Sequence, residues 1–126
     1  DRAIAVAFNR VWSTDRDKTA MKFFDELTSR AHTEQEFSVA APPGSTAYTK
    51  LDRVLCAYDL AGELMKFGDL NPTLFFEQWG SAASIWEKSS AWVATIRKSS
   101  PSGGGYDSAE WLANYEQQWH AAHPSH

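Results

Sequence analysis

Carboxylates on the predicted helices are the first side chains that could hold a metal ion or move a proton. Helix bundles build two-metal sites from Glu-x-x-His pairs on facing helices. None of the six candidates here has a histidine three residues later: Asp59, Glu63, Glu77, Glu87, Glu110 and Glu116. Asp59 and Glu63, one helical turn apart between apolar stripes, remain weak candidates for a functional carboxylate, since one of them could be partly buried. We favour an exposed helix edge near Arg53 or Lys66 instead, because carboxylates are seldom buried without a partner.

Three histidines close the chain, at His120, His123 and His126. Imidazoles three residues apart can share a helix face and bind zinc or nickel. Pro124 disrupts that geometry, and no carboxylate or thiol completes a tetrahedral set. We therefore expect solvated tail histidines, no bound metal and no cofactor.

Motifs for covalent catalysis or phosphate binding are absent from the sequence. Cys56 is the only cysteine, which excludes an intramolecular disulfide and favours a reducing compartment. Its apolar helical surroundings predict a small core residue rather than a nucleophile. The glycines at 103–105 lack the lysine and the spacing of a phosphate-binding loop, and there is no Gly-x-Ser-x-Gly motif. The sequence predicts no catalytic residue.

Tryptophan is abundant, with six residues in 126. Such side chains bury a large ring and are enriched at interfaces. Trp86 and Trp92 are six residues apart, about 240° around a helix, so they cannot point the same way. We expect core packing for most of the set and exposure for some. The possible interaction surface comprises Trp79, Trp86, Trp92, Trp111 and Trp119, with Tyr115 nearby.

Helices must position these side chains, because apolar residues recur at helical spacing and no strand-like alternation occurs. The sequence predicts runs at 2–12, 15–31, 46–67, 72–98 and 107–119, separated by breaks at 38–46 and 99–105. Gly80 indicates either a kink or a short helix followed by a longer one.

Two finer features follow from the same patterns. In the central run at 46–67, a second apolar stripe of Leu60, Leu64 and Phe67 is predicted to widen the buried sector. The residues at 107–110 resemble a capping box at the start of the last helix.

These patterns predict an all-α, compact bundle of four to six helices with no significant β-sheet. The chain is expected to be a single helical domain, 1–126, with a frayed tail at 119–126. The net charge of −4, with scattered Lys and Arg, argues against nucleic acid as a partner. No apolar run approaches the roughly 20 residues of a membrane-spanning helix.

Three stretches resemble a family of uncharacterised bacterial domains that often follow an N-terminal membrane helix. They are VLCAYDLAGELMKFGDLN at 54–71, the run at 75–97 with Trp86 and Arg97, and YDSAEWLANYEQQW at 106–119. Asp59 stands where the family has Glu. The resemblance implies an all-helical domain at the cytoplasmic face of a membrane, tethered by a segment absent from this chain.

The sequence therefore predicts a non-catalytic protein-interaction domain, with a protein partner or a second copy as its ligand. The alternative is a small hydrolase or metal-dependent enzyme that uses helix carboxylates in a cleft of the bundle. Neither the ligand nor the oligomeric state is determined by the sequence.

Overall fold

The computed structural model describes residues 15–78 and 81–124. Within these residues the chain forms six helices and no strand, which confirms the predicted all-α class. They are α1 (Asp15–Thr28), α2 (Glu34–Ala40), α3 (Thr46–Lys66), α4 (Pro72–Gln78), α5 (Ala82–Ser99) and α6 (Asp107–Ala122). None of the described helices is both long and apolar enough to cross a membrane. The predicted run at 2–12 lies outside the described residues.

Helix α3 is the central element, as its apolar pattern predicts. Its buried residues recur every three or four positions and so form one face: Leu51, Val54, Leu55, Tyr58, Ala61, Gly62 and Met65. Helices α1 and α6 both pack against α3, and α5 packs against α6 and α2. The core is therefore built on one side of α3.

Short polar side chains determine where four of the helices begin. Thr33 and Glu36 form a capping box, in which each side chain accepts the other's backbone amide at 3.1 Å. Ser45 and Ser81 each accept the amide of the third residue of the following helix, at 3.1 and 3.0 Å. Asn71 does the same ahead of α4, at 3.1 Å, as its Asn-Pro sequence predicts.

Several boundaries differ from the predicted ones. The capping box at Thr33 starts an additional helix, α2, which was not predicted. Because α2 extends to Ala40, the break expected at 38–46 begins only after that residue. The long run from Pro72 is two helices, so the second of the two alternatives at Gly80 is correct. Helix α6 continues to Ala122, beyond the position at which the tail was predicted to fray.

Helices α3 and α6 approach each other closely at Gly62 of α3. A Cβ atom built there would lie 2.2 Å from the carbonyl oxygen of Ser108 in the first turn of α6. Only glycine leaves room for the backbone of α6 at this distance. Gly62 therefore sets the spacing of the two helices.

Arg97 holds the loop that leads into α6. Its Nε donates to the carbonyl oxygen of Gly105 at 3.1 Å, and its guanidinium pairs with Asp107 at 3.2 Å and Glu110 at 2.7 Å. The capping box predicted at 107–110 is wrong, because the N-cap residue is Tyr106 and both acidic side chains bind Arg97 instead. Tyr106 has left-handed backbone geometry, with φ 57°.

Candidate interaction surface

Asp59 and Glu63, the weak functional candidates, lie in different environments on α3. Asp59 is half-buried, and its Oδ1 accepts the backbone amide of Ala109 in α6 at 2.9 Å. Since Tyr106 supplies no side-chain cap, Asp59 satisfies one of the free amides of that helix start from a neighbouring helix. Glu63 is exposed. The prediction that both carboxylates lie on an exposed helix edge is therefore correct for Glu63 and wrong for Asp59.

Glu116 is the one fully buried carboxylate among the residues that the structure describes, with 3% of its surface exposed. It accepts the backbone amides of Ala82 at 2.6 Å and Ala83 at 3.3 Å, and the hydroxyl of Ser81 at 2.8 Å. These groups form the start of α5, whose partial positive charge a carboxylate stabilises. Its role is to join α6 to α5.

The sequence itself carries a signal for the burial of Glu116. Glu116 follows Leu112 by four residues and precedes Trp119 by three, and both of those side chains are buried. A carboxylate on the inner face of an amphipathic helix requires a partner. Its partner, the start of α5, lies more than 30 residues away and is not visible from local spacing.

Two of the tail histidines, His120 and His123, contact residues of α6. His120 Nε2 lies 3.5 Å from Glu116 Oε2. His123 Nδ1 is 2.8 Å from the carbonyl oxygen of Trp119, and its ring stacks on that indole at 4.4 Å. His126 lies outside the described residues. Among the described residues, no group of three or more His, Cys, Asp or Glu side chains could hold a metal ion.

Cys56 is exposed, so its prediction as a core residue is wrong. Its Sγ lies 3.4 Å from Asp52 Oδ1, and the Tyr106 hydroxyl donates to the same carboxylate oxygen. The pKa of Cys56 is raised to about 12. Desolvation of the thiol is the larger cause, and the negative charge of Asp52 is the next. A thiol that stays protonated near neutral pH is a poor nucleophile.

The tryptophans divide between the core and its edge. Trp92 and Trp119 are 1% and 6% exposed and belong to the interior. Trp86 and Trp111 are half-buried, with Trp111 stacked on Tyr115 at 5.1 Å. Trp79 lies outside the described residues. Of the five tryptophans predicted to form an interaction surface, Trp86 and Trp111 are therefore the described ones that are partly exposed.

Two large exposed apolar side chains lie on α3 and at its C-terminal end. Phe67, directly after the helix, is 78% exposed and Leu60 is 49% exposed. They are seven residues apart, so their side chains lie within about 20° of each other around the helix. With the exposed Cys56 and the half-buried Leu64, they form a surface that we call the outer face of α3.

The prediction that Leu60 and Phe67 extend the buried sector is wrong. Both lie about 160–180° around an ideal helix from Leu51, at the centre of the buried face. Helices α1 and α6 cover the front of α3 and leave its back uncovered by the described residues. Counting angles from Leu51 would have separated the two faces.

A groove of about 270 Å³ lies elsewhere, between α2 and the end of α5. It is lined by Phe37, Tyr48, Trp92 and Ile96, with hydroxyls at its rim. The rim hydroxyls of Thr95 and Ser99 donate to carbonyl oxygens of their own helix. No charged side chain lines the groove, so it offers little for recognising a polar ligand.

A family model described as a domain of unknown function, DUF4760, matches residues 1–119. The chain belongs to this family. The match includes all three stretches of the resemblance and extends it toward the N-terminus. No curated protein and no solved structure matches this DUF4760 domain.

Proposed function

We propose that this DUF4760 domain is a non-catalytic protein-interaction domain that binds its partner through the outer face of α3. The observation that carries the proposal is the exposure of Phe67 and Leu60, at 78% and 49%, on one side of a helix. Aligned large apolar side chains on a surface are typical of interaction sites. Complete burial of each would contribute roughly 1.5–3 kcal/mol to binding before the costs of association.

The carboxylates give the enzyme alternative no comparable support. Of the six candidate carboxylates, Asp59 and Glu116 accept backbone amides at the starts of α6 and α5. The half-buried Glu110 pairs with Arg97. Such bonds hold helix ends in place. A general base needs a free lone pair directed at substrate.

Trp86 on α5 and Trp111 on α6 remain proposed as an additional contact, distinct from the outer face of α3. Both are half-buried, so each presents part of an indole to the exterior. Indoles at an interface combine large apolar area with a hydrogen-bond donor. Their contribution is expected to be smaller than that of Phe67.

The proposed setting is the cytoplasmic face of a bacterial membrane, with the tether supplied by a segment outside this chain. Its support is the family resemblance described above. Attachment to a membrane raises the effective concentration of partners on the same surface. A weak apolar contact would suffice there.

The test is photocrosslinking in the source cells, with p-benzoylphenylalanine in place of Phe67. The matched control carries the same amino acid at Asn114, an exposed position of α6. We expect a discrete crosslinked protein from position 67, a weaker one or none from position 114, and loss of the product when Leu60→Ser is added. Equal crosslinking from both positions, or none from position 67, would overturn the proposal.

A further inference from the structure

We infer that α2 is a flap over the groove between α2 and α5, and that it opens away from α5 while the other helices stay folded. This inference goes beyond the proposed function, because α2 takes no part in the outer face of α3. Segments that open locally bury little apolar surface and make few tertiary contacts. Helix α2 has both properties.

Little apolar surface holds α2 to the bundle. Of its seven residues only Phe37 is buried, whereas α3 buries seven of its 21 residues. Val39, on the same short helix, is 77% exposed. Among the described helices, α5 is the main one against which α2 packs. The helix can therefore separate from the bundle through the loss of one contact region.

The packing beneath α2 is incomplete. The groove of about 270 Å³ lies between α2 and α5, with Phe37 on one side and Ile96 on the other. A side chain that borders such a gap has fewer van der Waals partners than one in a close-packed interior. The contact between α2 and α5 is therefore weaker than the contacts of α3 with its neighbours.

A single ion pair closes the flap. Lys98 Nζ lies 2.7 Å from Glu34 Oε1, and the two side chains are 70% and 43% exposed. Among the described residues, this is the only hydrogen bond or ion pair that joins α2 to another helix. Exposed ion pairs contribute little to stability and are screened by salt. The latch is therefore weak and sensitive to ionic strength.

The segment is built to move as a unit. The capping box of Thr33 and Glu36 lies within α2 and its first turn, so its hydrogen bonds survive when the helix leaves α5. On the other side, Gly44 has φ 85° and open space around its Cα, so rotation there meets no neighbour. Hinges are commonly residues of this kind at the ends of an element.

Opening would uncover an apolar cleft. Phe37 and Trp92 both line the groove, and both are buried while α2 is closed. Trp92 stays in place on α5 because the rings of Tyr48 and Tyr106 contact it at 5.4 and 5.7 Å. The flap therefore controls access to aromatic surface that the closed protein hides.

Native-state hydrogen exchange on the full chain, followed by NMR at low ionic strength, tests the flap. The reporters are the amides of Phe37 and Ala41, which donate to carbonyl oxygens within or just before α2 at 3.0 and 2.8 Å. The references are the amides of Leu55 and Ala61 in the buried face of α3. We expect the α2 amides to exchange at least about a hundredfold faster than the references, with a weaker dependence on added urea, because local opening exposes little surface.

Lys98→Gln removes the latch without touching the core. This variant should speed exchange of the α2 amides about two- to fivefold and leave the α3 amides unchanged. The matched control is Lys88→Gln, an exposed position of the same helix, which should change neither. Raising the salt concentration from about 20 mM to about 500 mM should speed α2 exchange in wild type and have no such effect in Lys98→Gln.

The outcomes decide both parts of the inference. Amides of α2 that exchange with the same rate and the same urea dependence as those of α3 would overturn the flap, because α2 would then open only with the whole bundle. Equal α2 exchange in Lys98→Gln and Lys88→Gln would overturn the latch. Fast α2 exchange that is accelerated selectively by Lys98→Gln supports the inference.

Discussion

Replacing Glu116 by alanine should destabilise the protein strongly, because this side chain holds the start of α5 against α6. The variant removes a buried carboxylate that accepts the Ala82 amide at 2.6 Å and the Ser81 hydroxyl at 2.8 Å. A hydrogen bond to a charged group contributes about 1.5–3 kcal/mol, and a buried amide left without an acceptor adds a penalty. We expect a loss of about 3–4 kcal/mol in the free energy of unfolding, a large share of the roughly 5–15 kcal/mol of a typical domain.

Glu116→Gln separates the hydrogen bonds from the charge. Glutamine keeps a carbonyl oxygen for the Ala82 amide but loses the negative charge that stabilises the helix start. Its expected cost is about 1 kcal/mol. The exposed Glu87→Ala on α5 is the control and should change stability by less than about 0.5 kcal/mol.

Urea unfolding followed by circular dichroism measures these differences. With a typical dependence of the unfolding free energy on urea concentration, the urea concentration at the unfolding midpoint should fall by about 2 M in Glu116→Ala. A Glu116→Ala variant within about 1 kcal/mol of Glu87→Ala would refute the assignment of Glu116 as an inter-helix cap. Equal losses for Gln and Ala would refute the hydrogen bonds as the source of the effect.

Two further predictions concern α3. Gly62→Ala should lower the free energy of unfolding by about 2 kcal/mol despite the better helix propensity of alanine, because the new Cβ would lie 2.2 Å from the Ser108 carbonyl oxygen. Urea unfolding measures this loss. Gly104→Ala should cost less, because its Cβ would meet side-chain oxygens of Asp107 and Ser102, at 3.3 and 3.5 Å, rather than backbone. The pKa of the Cys56 thiol is raised to about 12 in the folded protein. At pH 9 the folded protein should therefore react with iodoacetamide far more slowly than the urea-unfolded protein does at the same pH. Since this pKa is higher in the folded state, its contribution to stability is complete below the unfolded pKa and is lost as the pH rises toward the folded one. Equal alkylation rates with and without urea would contradict the assigned environment beside Asp52.

The local signals in the sequence predicted much of the helical framework. Asn71 and Ser45 mark helix starts because their side chains bond amides only three residues away. The apolar spacing from Leu51 to Met65 predicted the central helix for the same reason, since helical periodicity is a local property. The Thr33 capping box carried an equally local signal that the sequence interpretation missed.

The residues that connect helices could not be placed in the same way. Asp59 caps α6 from 50 positions away, and no local pattern distinguishes that arrangement from an exposed edge. The angles of Leu60 and Phe67 from Leu51 show that they lie opposite the buried face, but hydrophobicity alone does not reveal whether a neighbouring helix also covers that side. Trp92 and Trp86 similarly share one helix, and only packing decides which of them is buried.

The most direct test of the central claim, that the outer face of α3 binds a protein partner, is photocrosslinking from position 67 in the source cells. A chain with p-benzoylphenylalanine in place of Phe67 should give a discrete crosslinked protein, and this product should be lost when Leu60→Ser is added. The same amino acid at the exposed Asn114 of α6 should give a weaker product or none. Equal crosslinking from both positions, or none from position 67, would contradict the claim.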